Sequence, residues 1–299
     1  MFGCNNSGNI CKEEVGMSQA EKNVSRRKFL TGAGGALAGT AVGFLGHGLL
    51  SSPDPAMAKQ SEKWPWPYKP LDPDEARKRG HLGYYKGDCG AGAFYGVIYG
   101  LREKVGAPYT NVPMEIMGFG GGGVAGWCTL CGALNGACAA MSLTSKDFYK
   151  LANELVAWYC QTPFPSNKSN ELGKNHEFLV DELKSDKIFT QTVSGSPLCH
   201  VSVTKWCKET GCTAGAAERS ERCARMVGDV CAKAVEILNA YHKGTFKPEH
   251  EPCAMAQSCQ SCHCMDKPYG LGGFTRGKMD CTDCHIKGQC SLIDPENHP

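Results

Sequence analysis

The sequence predicts an all-α fold: a helical body followed by an irregular C-terminal tail rich in cysteine and histidine. Three observations carry this. Apolar residues recur at helical spacing within 89–105, 145–159 and 217–241. Few stretches alternate apolar and polar residues, so strands have little support. Residues 249–299 hold seven cysteines and four histidines but almost no aliphatic side chains. Such a tail buries no core of its own, so something other than hydrophobic burial must order it.

Composition narrows the chemistry. The chain has 299 residues, 41% of them hydrophobic and 21% charged, with a formal net charge of +2. A balance that flat excludes a broad nucleic-acid footprint. The 19 cysteines are abnormal. A secreted protein of this size does not need so many as disulfides, and a cytosolic enzyme rarely carries them without metals.

The organisation reads from the N-terminus. Residues 1–58 form a leader. Arg26-Arg27 stand before a weakly apolar, Gly-rich run, and Pro55-Ala56-Met57-Ala58 ends it as a small-residue cleavage site. Paired arginines in that setting match a twin-arginine export signal, which places the mature chain in the periplasm. The run is long enough to span a membrane, but its glycines, Thr31, Thr40 and His47 make a poor lipid helix. The membrane is therefore expected to matter only during export. Residues 59–80, with Trp64-Pro65-Trp66-Pro67-Tyr68, form an extended arm.

The helical, Cys-rich body is expected over 81–248. From Cys89 to Val105 the residues Phe94, Val97, Ile98, Leu101 and Val105 make one apolar face. The run Gly118 to Gly123 reads as a flexible loop. Residues 124–141, uncharged and full of Ala, Gly and Cys, read as a buried helix. Ser145 is the expected cap of a helix through Tyr159, with Phe148, Leu151, Leu155 and Trp158 on its apolar face. Residues 161–195 read as loop, with a short helix near Phe178 to Leu183. The last long helix runs from Ala217 to Tyr241 and stops near Gly244.

The tail, 249–299, contains Cys259-Gln260-Ser261-Cys262-His263 and Cys281-Thr282-Asp283-Cys284-His285. CxxCH is the attachment signature of c-type haem. Two thiols one turn apart add across the vinyl groups of one porphyrin, and the next residue, His263 or His285, ligates the iron. The reading is therefore two haem c groups per chain and a haem-organised tail. Zinc competes, because the same four cysteines also fit a zinc ribbon. A ribbon, however, needs no histidine after each pair, and export delivers the tail to where haem is attached. The sixth ligands would come from His81, His176, His200, His242, His250 or His298, or from a Met. His250 and His242 are favoured because they directly precede the tail.

The other cysteines divide two ways. Cys128, Cys131 and Cys138 would share a helix face at roughly 100° per residue. Cys223 and Cys231 share roughly one face of the last helix, and Cys199, Cys207 and Cys212 lie between. A thiolate-held iron–sulfur cluster is one reading. Small buried apolar residues are the other.

Here the residues resemble a known family. Cys131-Gly132-Ala133-Leu134-Asn135-Gly136 matches the CGAxxG motif of redox-active proteins with four characteristic cysteines. The runs Gly118-Phe119-Gly120-Gly121-Gly122 and Leu198-Cys199-His200 look similar to it too. With two CxxCH motifs added, residues 80–285 resemble the split-Soret cytochrome c family of sulfate-reducing bacteria. The resemblance implies Cys89, Cys131, Cys199 and Cys223 as cluster ligands, a [2Fe–2S] cluster, bis-histidine haems and a homodimer. The extra cysteines depart from the family pattern.

The expected function is periplasmic electron transfer between redox donor and acceptor proteins, an electron carrier rather than an enzyme. The alternatives are a haem-based reductase of a small molecule and a zinc-ribbon binding module. No triad, phosphate loop or acid/base pair supports hydrolytic or transferase chemistry.

Overall fold

The computed structural model describes residues 63–263, 278–280 and 282, with the backbone alone at Cys262. The leader, the linker 269–274, His298, and Cys281, Cys284 and His285 of the second CxxCH motif lie outside the described residues. The described residues belong to one unit, Glu62–Pro299. The fold is all-α; among the described residues the one ladder is two residues long, between β1 (Pro163–Phe164) and β2 (Thr192–Val193).

The extended arm is shorter than its prolines suggest. Helix α1 (Pro73–Lys104) starts inside it, because Pro73 sits at the first helical position, where no N–H is needed. Asp72 caps the helix, its carboxylate accepting from Asp74 N at 2.8 Å and Glu75 N at 3.2 Å. The helix breaks at Gly87 and Asp88, where Asp88 has φ 63°. There the chain folds back on itself. A Cβ on Gly83 would lie 2.8 Å from Gly92 Cα, and one on Gly96 3.0 Å from Ala76 O. The helix expected from Cys89 to Val105 is the second arm of this hairpin. Glycines let the two arms touch backbone to backbone.

Residues 124–131 are not helical. Gly123, Ala125, Gly126 and Cys128 all have positive φ, so this segment is a looped cradle. Helix α2 (Gly132–Thr144) begins only after Cys131. Cys128, Cys131 and Cys138 therefore do not share a helix face. Helix α3 (Phe148–Gln161) starts three residues after Ser145, whose hydroxyl instead accepts from Asp147 N at 3.0 Å.

No helix forms at 178–183; the short helix is α4 (Asn167–Lys174), capped by Ser166. Burial explains its place, since Ser166 and Ser169 both bond the buried Asp229 carboxylate. Helix α5 (Cys199–Thr210) was not expected from periodicity. Helix α6 (Ala217–Lys243) matches its expected span and ends on Gly244 in the left-handed conformation. Among the described tail residues, α7 (Ala254–His263) is helical and carries the first CxxCH motif.

The core lies where α1 packs on α2 and α6, with α3 packed against α2 and α6. Phe94, Val97, Ile98, Leu134, Leu151, Leu155, Val227 and Val230 are buried in it. None of the helices among the described residues is long and apolar enough to cross a membrane.

Candidate metal centre and haem-bearing tail

Cys131 and Cys199 are brought together by a single antiparallel bridge, Leu130 to Leu198. Cys131 N donates to Pro197 O at 2.8 Å, and Cys199 N donates to Thr129 O at 2.8 Å. Each cysteine opens a helix: Cys131 is the N-cap residue of α2, and Cys199 is the first residue of α5. The positive ends of both helices therefore lie beside thiols, which favours the thiolate.

Cys89 follows the reversal in α1. Close glycine packing seats it: a Cβ on Gly132 would be 2.8 Å from Cys89 Cβ and 1.8 Å from Gly120 O. Cys223 enters from α6. The four thiols lie within electrostatic reach of one another. Burial pushes the Cys89 thiol well up, and Cys223, Cys131 and Cys199 push it further. Burial takes Cys199 up to about 12, again with Cys131 and Cys223 adding to the rise. Burial also raises Cys131, though the Tyr159 hydroxyl and the Ala133 and Leu134 N–H groups pull the other way. These N–H groups act on the sulfur although the N-cap geometry is not that of a standard side-chain cap.

Two guanidinium groups complete the surroundings. Arg219 Nη1 lies 3.9 Å from Cys223 Sγ. Arg222, 1% exposed, donates to Ser202 Oγ at 3.0 Å and to Met226 Sδ at 3.7 Å. Its Nε is buried with no partner. Among the described residues neither arginine pairs with a carboxylate. Buried positive charge without an acid is costly. An anionic thiolate–metal group beside it would offset that cost, so these residues fit such a group.

The remaining cysteines separate from this set. Burial pushes Cys138 to about 12, and burial with Cys253 nearby does the same for Cys160. Cys231 packs between the arms of α1, where its sulfur donates to Ala93 O at 3.4 Å. These serve as small buried residues. Cys128 is exposed beside Cys199, and Cys207 and Cys212 neighbour one another near Arg219.

In the tail, α7 places Cys259, Cys262 and His263 within its last turns. The segments that precede both motifs dock on the same part of the body. Gln161 Nε2 donates to Glu251 O at 2.6 Å, ahead of the first motif. Lys278 Nζ donates to Asn153 Oδ1 at 3.0 Å, ahead of the second. Asp280 N donates to Gly195 O at 3.0 Å.

Of the expected axial histidines, His250 is held by Glu154 through Nδ1 at 2.6 Å. Burial would raise the Glu154 carboxyl, but hydrogen bonds from His250 and Glu249 hold it below the ordinary carboxylate value. His242 stacks flat on Tyr68, with ring centroids 4.3 Å apart, and meets the Thr144 backbone, which leaves at most one ring nitrogen for iron. His81 is a core residue, stacked on Phe178 and bonded to Glu221 at 2.9 Å. Sequence reasoning missed Glu154, Tyr159, Arg219 and Arg222. Glu154 had a signal: it stands within the apolar stripe of Leu151, Leu155 and Trp158.

Residues 95–237 match the family model described as "Putative redox-active protein (C_GCAxxG_C_C)". The match starts after Cys89 and contains Cys131, Cys199 and Cys223. The chain is 35% identical over 291 residues to the split-Soret cytochrome c of Desulfovibrio desulfuricans, covering 93% of this chain and 100% of the relative. A solved structure, described as a novel iron centre in the split-Soret cytochrome c from Desulfovibrio desulfuricans, superposes with a TM-score of 0.64 at 35% identity. It covers 78% of this chain and 95% of that one. With identity at this level along the full length of the relative, the chain belongs to the split-Soret cytochrome c family.

Proposed function

We propose that the chain is a periplasmic electron-transfer protein with two covalently attached haem c groups and a [2Fe–2S] cluster. The observation that supports it most is one short segment. Gly195 O accepts from Asp280 N, next to Cys281, and Pro197 O accepts from Cys131 N. Cys199, at the end of the segment, stands in the four-cysteine site. The same stretch of backbone thus touches both the thiol cluster and the approach to the second CxxCH motif. Cofactors at those two places would be near neighbours.

Haem and iron–sulfur groups supply one-electron chemistry when bound. The residues divide the remaining work. Cys259 with Cys262, and Cys281 with Cys284, would hold the haems through thioethers. His263 and His285 would each ligate an iron, with His250 and His242 as the second histidines. Two histidines per iron would leave no open position, which favours electron transfer over turnover. Cys89, Cys131, Cys199 and Cys223 hold the cluster. Arg219 and Arg222 balance its negative charge. The chain would be exported folded by the twin-arginine route, act as a homodimer, and pass electrons between donor and acceptor proteins.

The test is the visible spectrum of the exported protein, oxidised and reduced, with a pyridine haemochrome assay. The expected result is two c-type haems per chain, and one in Cys281→Ser. A colourless, zinc-containing protein would overturn the reading.

A further inference from the structure

We infer that Glu154 is the positioning residue for an axial haem histidine: it clamps His250 through Nδ1 and so leaves Nε2 as the iron-binding atom. This rests on the reading that His250 is a haem ligand.

Glu154 is an anomaly in α3. It is 2% exposed and flanked by the core residues Leu151 and Leu155. A buried carboxylate is costly unless donors surround it. Its donors come from two consecutive tail residues. Oε2 accepts from Glu249 N at 3.0 Å and from His250 N at 3.1 Å, while Oε1 accepts from His250 Nδ1 at 2.6 Å. Among the described residues, its one ionic partner is His250.

Anchoring the tail would need only the backbone bonds. The third bond does something else. With the backbone N–H and the ring gripped by one carboxylate, the imidazole loses its freedom to rotate. A carboxylate accepts only, so Nδ1 carries the hydrogen, and in the neutral ring the lone pair then lies on Nε2, the one ring atom left for iron. The His250 side chain is still 26% exposed, so the ring is not sealed in the core. A carboxylate behind a ligating histidine fixes its tautomer and raises its basicity. Stronger donation stabilises the oxidised iron and lowers its potential.

The neighbourhood suits haem. His250 precedes α7, which bears the first CxxCH motif. Asn153, the residue before Glu154, receives Lys278 from the segment ahead of the second motif. The clamp therefore sits where both attachment segments dock.

The experiment compares Glu154→Gln, Glu154→Ala and His250→Ala in the exported, haem-loaded protein. Readouts are the spin state of each haem, carbon monoxide binding by the reduced form, and the two haem potentials. Gln carries no charge and has one acceptor oxygen, enough for Nδ1 but not for the two backbone N–H groups as well. Glu154→Gln is expected to keep both haems low-spin and raise one potential, by at least tenfold in that haem's reduction equilibrium, which is about 59 mV for one electron. The other potential should not move. Glu154→Ala should add a partly high-spin, carbon monoxide-binding haem, and His250→Ala a fully open one. If His250→Ala leaves both haems low-spin and closed to carbon monoxide, His250 is not a ligand and the reading beneath fails. If His250→Ala opens a haem but neither Glu154 variant changes a potential or a spin state, the clamp is overturned. Circular dichroism of Glu154→Gln, a near-isosteric change, shows whether the fold is retained.

Discussion

Cys131 shows how much one residue does in this molecule. Its N–H closes the bridge to Pro197, its position starts α2, and its sulfur faces Tyr159 and three other cysteines. Burial and mutual repulsion raise the Cys89, Cys131 and Cys199 thiols, so without a cation these three stay protonated. A metal reverses that by replacing the protons. Cys131→Ser should therefore lower non-haem iron per chain to a small fraction of wild type while haem content stays unchanged. Loss of both, or of neither, would show that the cluster is not held here. Nothing in the spacing of Cys89, Cys131, Cys199 and Cys223 joined them; only the family resemblance did. The physical reason is the bridge from Leu130 to Leu198, a non-local contact that leaves no periodic trace. The first CxxCH motif, by contrast, was legible because its chemistry fixes its spacing and α7 supplies the turn.

At the scale of elements, the glycines decide what approaches what. A Cβ on Gly136 would lie 2.1 Å from Gly90 O and 2.8 Å from Phe94 N. Helix α2 thus touches the second arm of α1 through bare backbone, and that contact sets the distance between Cys89 and Cys131. Gly136→Ala forces the two helices apart. Overpacking costs about 1–3 kcal/mol, and more where backbone resists, so a loss of about 3 kcal/mol in denaturant unfolding is expected, together with reduced iron occupancy. Wild-type stability and iron content would contradict this packing. Helix α6 was legible from end to end because it has both an apolar stripe and a terminal glycine. Helix α2 was misplaced because small, uncharged residues fill both a buried helix and a left-handed loop; composition does not separate them. The hairpin in α1 was hidden because its turn, Gly87-Asp88, lies inside a run that suits helix on both sides.

For the whole molecule, the body is ordered by burial, and the described tail residues hold to it through hydrogen bonds to Gln161, Glu154, Asn153 and Gly195. Body stability then carries a pH dependence set in the core. His81 is fully buried, its Nε2 bonded to Glu221 and its Nδ1 without a partner. Burial lowers its pKa below the ordinary value, although Glu221 pulls the other way. Protonating Nδ1 would bury an N–H with nothing to accept it, so the folded protein keeps this ring neutral. Below about pH 6.5 the unfolded chain takes up a proton that the folded chain refuses. Stability from this group is therefore complete above that pH and falls as pH drops through it, by up to about 1.4 kcal/mol per pH unit. Glu221 has a lowered pKa: burial raises it, but His81, Tyr85 and Arg225 together outweigh that. It adds a second loss in the same direction, deeper in the carboxylate range. The melting temperature should thus decline from pH 7 to pH 5, and decline less steeply in His81→Gln, whose amide still donates to Glu221 but does not titrate. Equal slopes in the two proteins would mean that His81 takes its proton without unfolding the core.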